Sequence, residues 1–179
     1  MKTRVMTAAV AACVLFVSAP LPVAAQWIGF NPAETVPANE NFTVDLVLDT
    51  EGVFVMGADV LFSFDPTVVQ LDAVTAGDWF TTAVEPHFFW AEPVPAMPGV
   101  VHVTGTVMTT GRDGAGALAV LHFTAVAAGF SPLDFQAVSL RDALNAPLPH
   151  TLSTGDRIVI EEAISAGGTS FGGLKARWR

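Results

Sequence analysis

The chain has 179 residues, 51% of them hydrophobic and 14% charged, with a formal net charge of −9. So low a charged fraction excludes a disordered chain and a coiled coil, and the negative balance disfavours a nucleic-acid backbone as partner. A single cysteine excludes a disulfide framework and a Cys-based zinc site, while the length suits one domain with a real core.

The first segment reads as a leader rather than as part of the fold. Met1-Lys2-Thr3-Arg4 is cationic, Val5 to Val17 is an apolar run of 13 residues, and Val23-Ala24-Ala25 supplies small residues after Pro20 and Pro22. This is the three-part pattern of a secretory signal peptide over residues 1–25, cut after Ala25, and the run is too short to span a bilayer as a helix. A rival reading takes Val10-Ala11-Ala12-Cys13 as a lipobox with Cys13 as a lipid anchor, but the apolar run continues through Val14, Leu15, Phe16 and Val17. Cleavage at Ala25 leaves no cysteine and only six basic residues against 17 acidic ones. The expectation is a secreted protein, extracellular or on the surface of a bacterium.

Beyond Ala25 the chain alternates apolar and polar residues at period two. Phe42 to Asp49 does so, then Asp59 to Phe64, Val101 to Met108, Ala119 to Ala125, Leu133 to Phe135 and Ile158 to Ile160. Asn31-Pro32, Asp65-Pro66, Ala76-Gly77-Asp78, Pro98-Gly99, Arg112-Asp113-Gly114 and Thr154-Gly155-Asp156 punctuate these runs as turns. No stretch keeps a 3.6-residue period. Short strands without intervening helices predict an antiparallel all-β sandwich or barrel over residues 26–163.

Period two also assigns faces. Val60, Phe62 and Phe64, Val101, Val103 and Val107, and Leu121, Phe123 and Ala125 form the core parity. The opposite parity carries Asp59, Leu61, Ser63, His102, Thr104 and Thr106, with Val120 and Thr124 on a further strand. Two readings stay open for it: a solvated sheet face, or a flat protein-recognition surface with Leu61 as apolar anchor in a polar rim.

The order of motifs resembles the cohesin family. Asn41-Phe42-Thr43-Val44-Asp45-Leu46-Val47-Leu48 is similar to the opening strand of such a domain. Gly57 to Leu71, with Phe64-Asp65-Pro66 at its centre, is similar to the family's strand, Phe-Asp-Pro, strand block. Gly114 to Ala125, Ser131 to Asp142 and Gly155 to Ile160 follow in family order, so the resemblance covers residues 28–162. It implies a two-sheet jelly-roll sandwich of about nine strands, related in fold to cellulose-binding modules. It also implies a non-catalytic scaffolding role: cohesins bind dockerin modules and so hold polysaccharide-degrading enzymes together. Recognition would use the sheet containing Asp59–Ser63 and His102–Thr106. The chain departs from scaffold proteins in showing one such domain and no internal repeat.

Candidate chemistry is sparse. His102 and His122 point outward on separate strands with no carboxylate at ligand spacing, and the resemblance puts those strands in opposite sheets, so no metal site is expected on them. The acidic loops leave room for structural calcium, yet no Asp-x-Asp-x-Asp loop occurs. Ser170 lacks the Gly-x-Ser-x-Gly elbow of a nucleophile, and Arg112-Asp113-Gly114-Ala115-Gly116 joins two strands as a hairpin rather than cradling phosphate. No catalytic residue emerges.

The aromatic run His87-Phe88-Phe89-Trp90, shortly after Trp79-Phe80, supports a rival function. Phe88 and Trp90 share one parity, and as an exposed pair they would stack sugar rings, making this a carbohydrate-binding module. As a packed pair they would lie beneath the Pro-rich stretch Glu92 to Pro98, at the sandwich edge. The last segment, residues 164–179, joins a small-residue linker to Phe171, Leu174, Lys175, Arg177, Trp178 and Arg179. It reads as a solvated terminus or a short docking peptide.

Overall fold

Wherever the alternation is regular, a strand forms and buries the apolar parity. The computed structural model describes residues 25–32 and 35–162; the expected leader before Ala25 and the tail beyond 163 fall outside them. Thirteen strand segments occur among the described residues: β1 Gln26–Asn31, β2 Val36–Pro37, β3 Asn41–Asp49, β4 Gly57–Ser63, β5 Val69–Ala76, β6 His87–Pro93, β7 Val100–Val107, β8 Ala115–Ala125, β9 Gly129–Pro132, β10 Asp134–Arg141, β11 Pro147–Leu148, β12 His150–Leu152 and β13 Arg157–Glu161. The surplus over nine comes from two- to four-residue pieces, too short to show a period. One helical turn, α1 Asp78–Thr81, interrupts a chain that was expected to have no helix.

Two five-stranded sheets, ordered β12-β1-β3-β8-β5 and β11-β10-β4-β7-β6, face each other, and a three-stranded sheet β2-β13-β9 closes one side. Pairing is antiparallel except between β1 and β12 and between β13 and β2. The expected core parity is buried: Val60, Phe62, Val101, Val103, Val107, Leu121, Phe123 and Ala125 all join one cluster with Val44, Leu46 and Leu48, while Phe64 packs at its edge. Each such side chain contributes roughly 1.5–3 kcal/mol, which fixes the strand registers, since a slip of one residue would turn every one of them outward. Aromatic contacts stitch the layers. The Phe30 ring of β1 meets Phe62 of β4 at 5.1 Å and stacks on Phe135 of β10 at 4.7 Å.

Turn chemistry holds the ends. Asp65 Oδ1 accepts the Thr67 backbone N–H at 2.8 Å and the Thr67 hydroxyl at 2.7 Å, closing the β4–β5 turn. Those hydrogen bonds, the hydroxyl's first, hold the Asp65 carboxyl below its ordinary value of 3.8. Gly99 closes the β6–β7 hairpin at φ +77, with its carbonyl accepting the Phe64 N–H at 2.7 Å. A Cβ there would run into the Phe64 carbonyl and the Pro66 ring.

Candidate binding face

The outer face of β10, β4, β7 and β6 gathers the residues that carry distinctive chemistry. On β4 and β7, Asp59 lies opposite Thr104 and Leu61 opposite His102. On the next strand, Phe88 lies opposite Thr106, Trp90 opposite Thr104 and Glu92 opposite His102. The recognition parity and the aromatic pair, read from sequence as two separate candidates, therefore form a single surface.

Its centre is polar and its flank aromatic. His102 Nε2 lies 3.0 Å from Asp59 Oδ2, the carboxylate accepting. The Trp90 ring stands edge-on to the same imidazole, at 5.3 Å between centroids. His102 is thus held between a carboxylate on one side and an indole on the other. Thr104 and Thr106 donate their hydroxyls to the Ala58 and Met56 carbonyls, at 3.4 and 3.0 Å. On the β10 side, Arg141 Nε donates to Ser139 Oγ at 3.1 Å and Gln136 Nε2 to Ser63 Oγ at 2.9 Å. Small side chains on β4 and β7 leave a shallow depression of about 420 Å3 bordered by Gly57, Asp59, Thr104, Thr106, Ser139 and Arg141.

The aromatic pair needs a correction. Phe88 and Trp90 lie on the edge strand β6 but are not packed away beneath the Pro-rich stretch: they are 49% and 37% exposed. The reason is parity. Phe89 turns inward against the core, so its two neighbours turn outward. Leu61 and His102 are half-buried on this surface, as are Ser63, Thr104 and Thr106, and Asp59 is exposed. Thr124 and Val120 belong elsewhere, on the outer face of the other sheet.

The face rests on a plug. Trp79 and Phe80 of α1 are fully buried among the inner side chains. The Phe80 ring lies against β7 where a side chain at Gly105 would be, and packs on Phe89 at 5.8 Å. Arg112 fastens the helix: its guanidinium donates to the Trp79 and Asp78 carbonyls and to the Thr82 hydroxyl, and lies over the Trp79 ring. The strands that display Trp90, Thr104 and Thr106 are therefore backed by packed rings, which preorganises the surface.

Glu92, Ser139 and Arg141 were not picked out from the sequence. The β6–β7 register is centred on Met97, so counting outward from Pro98-Gly99 would set Glu92 opposite Gly105, and the turn signal alone does not place it beside His102. Ser139 and Arg141 sit on a strand paired across some 80 residues, and no local signal points to them. His122 hydrogen-bonds Thr75 on the opposite sheet, far from His102 in topology, as the resemblance implied. Among the described residues no group of three or more His, Cys, Asp or Glu side chains is placed to hold a metal ion, and no helix is long and apolar enough to cross a membrane.

No protein-family model matches the sequence, and no curated protein matches it. Solved structures do match in fold. The cohesin module of a family 33 glycoside hydrolase from Clostridium perfringens is 14% identical, over 78% of this chain and 99% of that one, with a TM-score of 0.64. The sixth cohesin of scaffoldin B from Acetivibrio cellulolyticus, solved in complex with a dockerin, is 18% identical over 77% and 100%, with a TM-score of 0.62. A non-cellulosomal cohesin from the archaeon Archaeoglobus fulgidus is 14% identical over 87% and 100%, with a TM-score of 0.60. The chain has the jelly-roll sandwich of cohesin modules.

Proposed function

We propose that this protein is an exported, non-catalytic binding module whose β10-β4-β7-β6 face docks a dockerin-like protein partner, in a setting of polysaccharide degradation outside the cell. One observation carries the reading: the fold of dockerin-binding modules displays, on one rigid sheet, exposed aromatics beside a polar centre, the composition of a protein interface. The Asp59, Leu61, Ser63, His102, Thr104 and Thr106 surface supplies the centre and Phe88 and Trp90 the apolar flank. No cofactor enters this function.

Calorimetric titration of the full chain against a panel of purified dockerin modules tests it. Binding by at least one is expected, weakened by more than about 2 kcal/mol in Leu61→Asp with the melting temperature kept. Binding that ignores Leu61→Asp retires this face, and no binding across the panel retires the dockerin partner. The exposure of Phe88 and Trp90 favours a second reading, a carbohydrate platform on the same face. Its mark would be polysaccharide retention that Trp90→Ala abolishes without unfolding the domain.

A further inference from the structure

The opposite sheet carries a feature that partner docking leaves unused. Trp27 points outward from β1 and is 38% exposed. It runs along its own strand, its six-membered ring filling the space over Gly29 where any side chain would collide with it. Glycine at 29 thus lets an indole lie down on the sheet. Across the pairing, Trp27 is opposite Asp49 and Gly29 opposite Val47. The next strand contributes Ala115 opposite Asp49 and Gly116 opposite Leu48. Small residues there leave a shallow trough of about 330 Å3 bordered by Trp27, Asn31, Val47, Asp49, Ala115 and Gly116.

The trough's chemistry narrows its occupant. Its lining holds one charge, the Asp49 carboxylate, and no cation, so an anionic ligand would be repelled. Asp49 Oδ1 accepts the Glu51 N–H at 3.0 Å, which orients the carboxylate. Its Oδ2 and the Asn31 amide make no hydrogen bond among the described residues. One indole flanked by a free acceptor and a free amide suits a ring with an apolar face and hydroxyls at its rim. A lone aromatic in an open trough does not enclose a quaternary ammonium, which takes a cage. We propose that this trough is a second binding site, for a neutral pyranose ring of a polysaccharide, packed on Trp27 with its hydroxyls on Asp49 and Asn31. It lies on the sheet opposite the partner-binding face, so the two sites are independent and compatible.

Affinity electrophoresis of the full chain through gels containing xylan, mixed-linkage β-glucan or hydroxyethyl cellulose, with a pull-down on insoluble cellulose, tests the site. Retention on at least one is expected, weakened at least tenfold by Trp27→Ala and unchanged by Trp90→Ala. Because Trp27→Ala touches strand packing, Ala115→Arg provides a second test: it fills the trough from the far wall and leaves the indole in place. Loss of retention in Ala115→Arg at an unchanged melting temperature supports the site. Retention that survives Ala115→Arg, that disappears in Trp90→Ala, or that the native protein lacks on all four polysaccharides overturns it. Dockerin binding is unaffected by either trough variant, so this site and the opposite face fail separately.

Discussion

Trp79–Phe80 and Phe88–Trp90 are neighbours in sequence and opposite in fate. The first pair is sealed in the core and the second lies on the surface. The residue types do not decide this; the backbone does. Consecutive residues on a helical turn both swing inward when that turn is laid across the sandwich, as Arg112 and the Asp78–Ala117 hydrogen bond lay it. On a strand, two aromatics spaced by one residue must share a face, and Phe89 has already taken the inner one. Aromatic density in a sequence therefore signals neither core nor site until the local backbone is known.

The contrast predicts different costs for similar substitutions. Trp79→Ala should cost about 3–5 kcal/mol, as for a fully buried tryptophan, measured by urea denaturation; a loss under about 1 kcal/mol would mean that α1 is no plug. Gly105→Ala should push the Phe80 ring off β7 and cost about 1–3 kcal/mol, with Trp90 fluorescence shifting because the strand above it moves. Arg112→Ala removes the guanidinium donor of the Trp79 carbonyl, whereas the Asp78 carbonyl keeps the Thr82 N–H and hydroxyl, and should cost about 1 kcal/mol, read as a lower urea midpoint at unchanged m-value. Trp90→Ala should cost less than about 1 kcal/mol of stability yet weaken partner binding tenfold or more. A Trp90 loss as large as that of Trp79 would erase the distinction.

The smallest effect lies at the β4–β5 turn. The Asp65 carboxyl is held below 3.8, so its share of stability is present above that pH and is lost as pH falls through its lower folded-state value. Thr67→Ala removes the hydroxyl that acts most strongly on it. The Asp65 carboxyl should then titrate closer to 3.8, followed by NMR, with little change in stability at neutral pH.

Parity was legible in the sequence because it is local: Val60, Phe62, Val101 and Val103 announce their own side of the strand. Phe64-Asp65-Pro66 announced its turn for the same reason. The merging of the two surface candidates was half legible. Pro98-Gly99 marks a hairpin between β6 and β7, but the register is centred on Met97, so the turn signal shows that the two strands are neighbours without setting Trp90 beside Thr104. What stayed hidden is long-range: Arg141 and Ser139 reach the face through β10–β4 pairing, and the trough beside Trp27 is completed by β8, which reaches β3 from some 66 residues further along the chain. Neither pairing leaves a periodic trace.

The parallel seam between β1 and β12 has a consequence in time. Gln26, Trp27 and Ile28 pair with His150, Thr151 and Leu152, and the Phe30 N–H reaches the Asp156 carboxylate across 126 residues. Among the described residues, the first strand thus completes its sheet with nearly the last. Until those late residues arrive, one edge of β1 stays unpaired with Ile28 and Phe30 beside it, an arrangement that invites association with other chains. Closure over so long a loop also slows folding. Truncation before His150 should therefore yield a chain that aggregates rather than a smaller folded domain.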